Sequence, residues 1–238
     1  MPDEQKAGVG DGGKKTIWAC FSHVDDEIWA LGTMANHVCR GDRVVLTWMT
    51  YGEMTSLLGD ISTEEIVEKR KEHSGEIGRI VGCEVSFVGF GDAQMEVTRD
   101  NGIRVARLIA ELKPDAIITW NTGRGHPDHH ATSQLLMDAA TYARLPKVIA
   151  PLPAHRNDIT FCMYHDGHCP YPTAYVDVSD QVSKIVEVVE YYSKIYKWVG
   201  SGDETKERLR RNGRECGADY AEKFNVIRRY HQAEKYLV

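Results

Sequence analysis

From Thr16 onward the chain alternates between short apolar runs and stretches in which apolar residues recur every three or four positions. Ile17 to Phe21, Val44 to Met49, Val85 to Phe90 and Ala116 to Trp120 are largely apolar runs of strand length. Helical patterns separate them. Asp26 to Cys39 places Ile28, Leu31, Met34 and Val38 on one face, and Ser62-x-x-Glu65 is a capping box that opens a helix running to about Val81. A third pattern turns Ile103, Ala106, Ile109 and Leu112 inward before Pro114, and a fourth covers Thr132 to Ala143. Strands that are apolar throughout, joined by single helices, need cover on both faces, which a parallel sheet between two helix layers provides. The predicted fold is α/β: a Rossmann-like, doubly wound, mostly parallel sheet with helices on both faces.

The C-terminal third is less regular. Val148 to Ala150, Ile159 to Tyr164 and Thr173 to Val178 are extra short strand candidates set between Pro-rich turns. Ser179 caps a helix with Val182, Ile185, Val186, Val189 and Tyr192 on one face. Gly200 to Gly217 is dense in charge and reads as a loop, and Tyr220, Phe224 and Ile227 read as the apolar face of a last helix. Residues 1–15 are rich in Gly, Lys and Asp without periodicity and read as a flexible tail, leaving 16–238 as one domain.

Composition narrows the function. With 238 residues and 42% apolar content, one sizeable core is available. A net charge of −6 argues against a nucleic-acid or anionic-membrane surface, both of which want a basic patch. No apolar run approaches the ~20 residues of a membrane span, and the start lacks the apolar segment of a signal peptide, so a soluble, cytoplasmic chain is expected. Cys20, Cys39, Cys83, Cys162, Cys169 and Cys216 form no Cys-x-x-Cys pair, which favours reduced thiols over a thiolate metal site.

The chemistry is concentrated in two clusters. Phe21-Ser22-His23-Val24-Asp25-Asp26-Glu27 follows the first strand, and Gly125-His126-Pro127-Asp128-His129-His130 follows the fourth. Three acids at a helix start also suit the helix dipole, and a His-rich turn also caps a helix. In a doubly wound sheet of order 3-2-1-4-5, however, the first and fourth strands are neighbours, and the crevice at their carboxyl ends is the usual ligand site. His23, Asp25 and Asp26 are then expected to face His126, Asp128 and His129. That inventory suits a divalent metal, zinc first. His23 and Asp26 lie three apart and share one side of the turn, and a histidine of the second cluster completes three ligands with a position open for water. A carboxylate left over, Asp25, accepts the proton of activated water. A histidine left over, His126, serves the oxyanion and the leaving group, with Asp128 holding its tautomer; His130 is spare.

With both clusters in view, the chain resembles the PIG-L/LmbE-like family of metal-dependent de-N-acetylases, which carry Ala-His-Pro-Asp-Asp-Glu after the first strand and His-Pro-Asp-His after a later one. Here the first reads Ser22-His23-Val24-Asp25-Asp26-Glu27, and the second is intact at His126 to His129. The resemblance implies that His23, Asp26 and His129 bind Zn2+, that Asp25 is the general base, and that His126 with Asp128 serves the oxyanion and leaving amine. It also implies that Arg70 and Asp92 hold sugar hydroxyls, and that Thr50-Tyr51-Gly52-Glu53 is the loop after the second strand. Two positions depart from the pattern: Val24 replaces a proline, and His73 stands where an acid commonly follows the arginine.

The function expected is a zinc-dependent hydrolase that removes acetyl from an N-acetylglucosamine-type amino sugar, a small-molecule substrate; a homo-oligomer is compatible with the sequence. The alternatives are a zinc amidase for a non-sugar or thiol-conjugate amide, a non-haem iron enzyme, and a non-catalytic Rossmann-like binding module. The last would want Gly-x-Gly-x-x-Gly after the first strand, where this chain carries charge. His165-Asp166-Gly167-His168-Cys169 reads as a loop near the site mouth rather than a second metal centre. His155 with Arg156 is a further candidate border of the cleft, and Trp48 and Trp120 read as core aromatics at strand ends.

Overall fold

The computed structural model describes residues 13–123, 125–196 and 200–228. Residues 1–12 of the expected tail lie outside them. Seven strands form one sheet of order β3-β2-β1-β4-β5-β7-β6. They are β1 (Thr16–Phe21), β2 (Arg43–Thr50), β3 (Glu84–Phe90), β4 (Ala116–Thr119), β5 (Thr160–Tyr164), β6 (Thr173–Asp177) and β7 (Ala221–Ile227). The first five run parallel in the expected order, and β7 runs antiparallel to both of its neighbours.

The period of two along β1 builds two cores. Ile17, Ala19 and Phe21 pack with Leu46 and Trp48 under α1 (Leu31–Arg40), α2 (Thr63–Val81) and α6 (Val182–Tyr196), through Met34, Ile77, Ile185 and Tyr192. Trp18 and Cys20 point to the other face with Val45 and Met49. There α3 (Arg99–Leu112), α4 (Pro127–Tyr142) and α5 (Pro146–Ile149) cover them through Val105, Ile109, Leu135 and Ile149. The capping box at Ser62 and Glu65 forms with both of its hydrogen bonds.

Three expectations for the C-terminal third need correction. Val148 to Ala150 is not a strand: Pro146 opens the short helix α5, where its missing N–H costs nothing. The charged stretch Gly200 to Gly217 is helix α7 (Gly202–Cys216), opened by a second capping box at Ser201 and Glu204. Its buried positions, Gly202, Thr205, Leu209 and Gly213, have helical spacing, but only Leu209 is large and apolar, so the pattern is nearly silent. Phe224 and Ile227 belong to β7, and Tyr220 immediately precedes it. Their helix-like spacing was deceptive because the intervening Glu222 and Asn225 are buried polar residues.

The end of α7 gives a direct check. A Cβ at Gly213 would lie 2.4 Å from the Ala218 carbonyl oxygen and 2.8 Å from that of Asp219. Backbone cannot yield as a side-chain tip can, so Gly213→Ala is expected to cost about 2 kcal/mol in denaturant unfolding. Unchanged stability would mean that α7 does not close against the turn before β7 in this way.

Candidate active site

Both clusters stand at the carboxyl edge of the sheet because β1 and β4 are hydrogen-bonded neighbours, with Ile17, Trp18 and Ala19 opposite Ala116, Ile117 and Ile118. After β1 the chain makes a tight turn. Asp25 has φ 109°, a left-handed conformation that non-glycine residues seldom take, and the short 3-10 turn Asp26–Trp29 precedes α1. After β4, His126 caps α4 and Pro127 starts it, so Asp128 and His129 lie in the first helical turn. The helix therefore starts five residues earlier than the apolar pattern suggests, and the cluster is fixed by its backbone.

Asp26 joins the two clusters. Its Oδ2 accepts from the Ser22 and His23 amides at 3.1 and 2.9 Å and from Trp120 Nε1 at 2.9 Å, and it lies 3.6 Å from His23 Nδ1. Oδ1 faces His129 Nε2 at 3.4 Å. The His129 ring stacks on Trp120 with centroids 3.8 Å apart and planes 9° off parallel. Tyr164, at the end of β5, donates to the Asp26 carbonyl at 2.6 Å. On the opposite side, His23 Nε2 lies 3.1 Å from Asp92 Oδ1 and 3.2 Å from Asp128 Oδ2. His23, His126 and His129 hold ligand atoms within 4.8 Å of one another, and so do His23, Asp92 and Asp128.

Histidines and carboxylates set one another's charge in this group. Burial alone would lower the His23 pKa, yet hydrogen bonds and charge from Asp26 and Asp92 raise it to about 10. Burial would likewise raise Asp92, but His23 and the Met54 amide hold it down near 2. Burial works against ionised Asp26 as well, and the two imidazoles outweigh it to keep the carboxyl ionised. Asp25 is the exception: burial, followed by the nearby Asp26 charge, raises its pKa, with Arg70 opposing. One carboxyl is thus pushed toward proton uptake beside another locked as an anion, a division that acid–base chemistry uses.

The donor set fits a small divalent metal. Asp26 faces the two imidazoles through different oxygens, Oδ2 toward His23 and Oδ1 toward His129, whereas the groups whose ligand atoms converge within 4.8 Å are His23, His126 and His129, and His23, Asp92 and Asp128. Acids on the far nitrogen of His23 are the partners that orient a metal-bound histidine.

Other residues depart from their expected partners. The Asp128 carboxylate does not hold the His126 tautomer. Oδ2 lies 4.0 Å from His126 Nδ1 and accepts instead from the Ala93 amide at 2.8 Å, while the Asp128 amide donates to His126 Nδ1 at 3.2 Å. Because that ring nitrogen accepts, the proton of neutral His126 sits on Nε2, and the half-exposed ring can present it to the depression. Arg70 is not a surface arginine. It is 2% exposed, donates to the Val24 carbonyl at 2.7 Å, lies 3.6 Å from Asp25 Oδ2 and packs on the Tyr196 ring. Asp92 takes the Met54 amide as well as His23, and its own amide donates to Glu53 in the loop after β2. Both residues line the depression, of about 300 Å³, together with His23, Asp25, His126 and His129.

Glu27 is the contributor that pattern reading missed. Fully buried, it accepts from Tyr192 at 2.5 Å, from Trp48 Nε1 at 3.0 Å and from the Asp25 amide at 3.1 Å, which pins the strained turn to the core. Its place in the acid triplet and the tryptophan at the end of β2 were the available signals. His130 is exposed and turns away, as expected, and His155 is buried against the Pro114 carbonyl, outside the depression. His165 and His168 line a neighbouring cavity and join no metal-holding group among the described residues. All six cysteines are free; Cys20 is buried, whereas Cys39 and Cys216 are exposed.

His73, in place of an acid, donates nothing to the depression and pairs through Nδ1 with the Tyr196 hydroxyl at 2.8 Å. Burial, followed by the Arg70 charge, lowers its pKa from 6.5 to about 4. The unfolded chain then binds a proton that the native state refuses. Stability present above pH 6.5 is therefore expected to fall by about 3 kcal/mol as pH drops toward 4, and His73→Gln should flatten that slope in urea unfolding. An identical slope in the variant would exclude His73 as its source.

The family described as PIG-L, GlcNAc-PI de-N-acetylase, matches residues 18–140, which contain both clusters. The chain belongs to the PIG-L family. A diacetylchitobiose deacetylase of Thermococcus kodakarensis is 28% identical over 177 residues, covering 70% of this chain and 64% of that protein. This PIG-L chain thus spans somewhat less than two thirds of that curated relative. Among solved structures, the N,N'-diacetylchitobiose deacetylase of Pyrococcus horikoshii superposes with a TM-score of 0.77 at 19% identity, over 90% of this chain and 84% of that one. The 4-carboxy-2-hydroxymuconate hydratase of Pseudomonas putida superposes with 0.74 at 17% identity, over 94% of this chain and all of that one. These two likenesses establish the fold, which carries more than one chemistry. No helix among the described residues is long and apolar enough to cross a membrane.

Proposed function

We propose that this PIG-L family chain is a metal-dependent N-deacetylase of an N-acetylated amino sugar. The observation that carries the reading is Asp26 lying between His23 and His129, with Asp25 beside it in an environment that raises its pKa. The chitobiose deacetylase relative supplies the substrate class.

His23, Asp26 and His129 would hold the metal, zinc by choice of donors, which supplies Lewis acidity to water and to the acetyl carbonyl. Asp25 takes the proton released as water attacks the carbonyl carbon. His126 offers Nε2–H to the oxygen on which negative charge develops, a contribution that electrostatic stabilisation makes large. As the C–N bond breaks, the proton held by Asp25 reaches the leaving nitrogen, giving acetate and a free amine. Arg70 steadies the Asp25 turn through the Val24 carbonyl and, with Asp92, borders the space for sugar hydroxyls. Asp128 contributes through its amide to His126 and through its carboxylate to His23.

A panel of N-acetylglucosamine, diacetylchitobiose, a thiol-conjugate amide and a simple aryl acetamide tests the reading. Equimolar acetate and amine from the two sugars alone is the expected result. Cleavage of the other amides without the sugars would move the substrate class to a general amidase.

A further inference from the structure

A second cavity, of about 340 Å³, lies on the other side of the His129–Trp120 stack and is lined by Trp29, Trp120, Tyr164, Arg208, Arg211 and Lys223, among others. It shares no lining residue with the depression of the candidate active site. The stack is the partition: His129 lines the depression and Trp120 lines the cavity. Its composition is unusual for a chain of net charge −6, because three cations and three aromatic rings converge there.

Two of the three cations lack an acid partner among the described residues. Among the described residues, Arg208 and Arg211 make no hydrogen bond or ion pair; Arg208 lies over the Trp29 ring, 4.2 Å from its centroid. Glu222, the acid whose charge reaches Arg208, accepts instead from the Gly32 and Thr33 amides and the Thr33 hydroxyl at 2.9, 2.9 and 2.6 Å. Lys223 alone is paired, with Glu215 at 2.6 Å. Desolvation works against the charged form of Arg208, with the Glu222 charge opposing but no hydrogen bond or ion pair to it. Trp29 is 43% exposed, with Arg208 over one face of its ring.

We propose that this cavity binds an oxyanion, a carboxylate or a phosphate, carried on a molecule with a flat or apolar body. Arg208 and Arg211 supply planar forks of donors that match either oxyanion, and Trp29 packs against the body. The oxyanion comes either from the far end of the sugar substrate, reaching past the Trp120 edge, or from a separate molecule. Only the first source rests on the deacetylase reading.

The test has a binding arm and a kinetic arm, both on metal-loaded protein. Calorimetric titration with glucose 1-phosphate and with glucuronate is expected to show saturable binding that weakens at least roughly tenfold in Arg208→Gln and in Arg208→Gln/Arg211→Gln, as loss of charge-assisted hydrogen bonds requires. Arg208→Lys should recover part of it. If Arg208→Gln fails to fold by circular dichroism, Arg211→Gln, at an exposed position, carries the same comparison. In the kinetic arm, a substrate source predicts that N-acetylglucosamine 1-phosphate exceeds N-acetylglucosamine in kcat/KM by about tenfold, a preference that Arg208→Gln erases without changing turnover of the neutral sugar. A separate ligand predicts the binding result without that preference. No saturable binding, or equal binding to wild type and variants, overturns the proposal. A protein that binds both probes yet deacetylates nothing would keep the cavity and refute the deacetylase reading instead.

Discussion

Asp25→Asn is expected to lower kcat about 10²- to 10⁴-fold while leaving the metal in place, the range that a positioned general base contributes. Asparagine keeps the size of the side chain and tolerates the left-handed backbone at φ 109°, so the turn should survive. What disappears is the proton acceptor. The Asp25 amide remains tied to Glu27, and Arg70 remains on the Val24 carbonyl, so His23 and Asp26, the proposed metal ligands on either side, keep their supports. Metal analysis and single-turnover kinetics on the same sample separate the outcomes. Wild-type turnover in this variant would remove Asp25 from the chemistry, and loss of metal together with turnover would make it a ligand.

His129→Ala is expected to reduce metal affinity by at least ~100-fold, beyond the 10- to 100-fold that loss of an orienting partner costs, and to abolish turnover with it. Two effects add. A nitrogen facing Asp26 Oδ1 at 3.4 Å is lost, and Trp120 loses the ring that it stacks on. His130→Ala is the matched control, because the next residue in the helix is exposed and turned away from the depression. Competition with a chromogenic chelator measures both variants. Equal affinity in the two would place the metal on another set, of which His23, Asp92 and Asp128 are the nearest.

The parts of this account that could be read from sequence are those governed by local pattern. The largely apolar runs joined by helices point to a doubly wound sheet, and the common strand order of that fold brings His23 and His129 to neighbouring strand ends. The corrections share one cause, which is burial of small or polar residues. Helix α7 packs through Gly202, Thr205 and Gly213, which no hydrophobic periodicity reports. Strand β7 buries Glu222 because the start of α1 supplies three donors from residues about 190 positions away. Spacing also placed Asp128 two residues from His126 without revealing that its carboxylate turns to His23 and Ala93, since that choice is made by the loop after β3. The resemblance singled out Arg70, but its burial against Tyr196 and its bond to the strained turn come from tertiary packing that no local pattern reports.

The central claim is that the two clusters form one metal-dependent deacetylation site. Its most direct test measures acetate release from N-acetylglucosamine and diacetylchitobiose by protein stripped of metal and then titrated with zinc. The account predicts no release from stripped protein and activity that rises with zinc to a break near one equivalent. Metal binding at one equivalent with neither sugar cleaved would keep the centre and contradict the substrate. Acetate release that is indifferent to metal, or the absence of any metal binding, would contradict the claim itself.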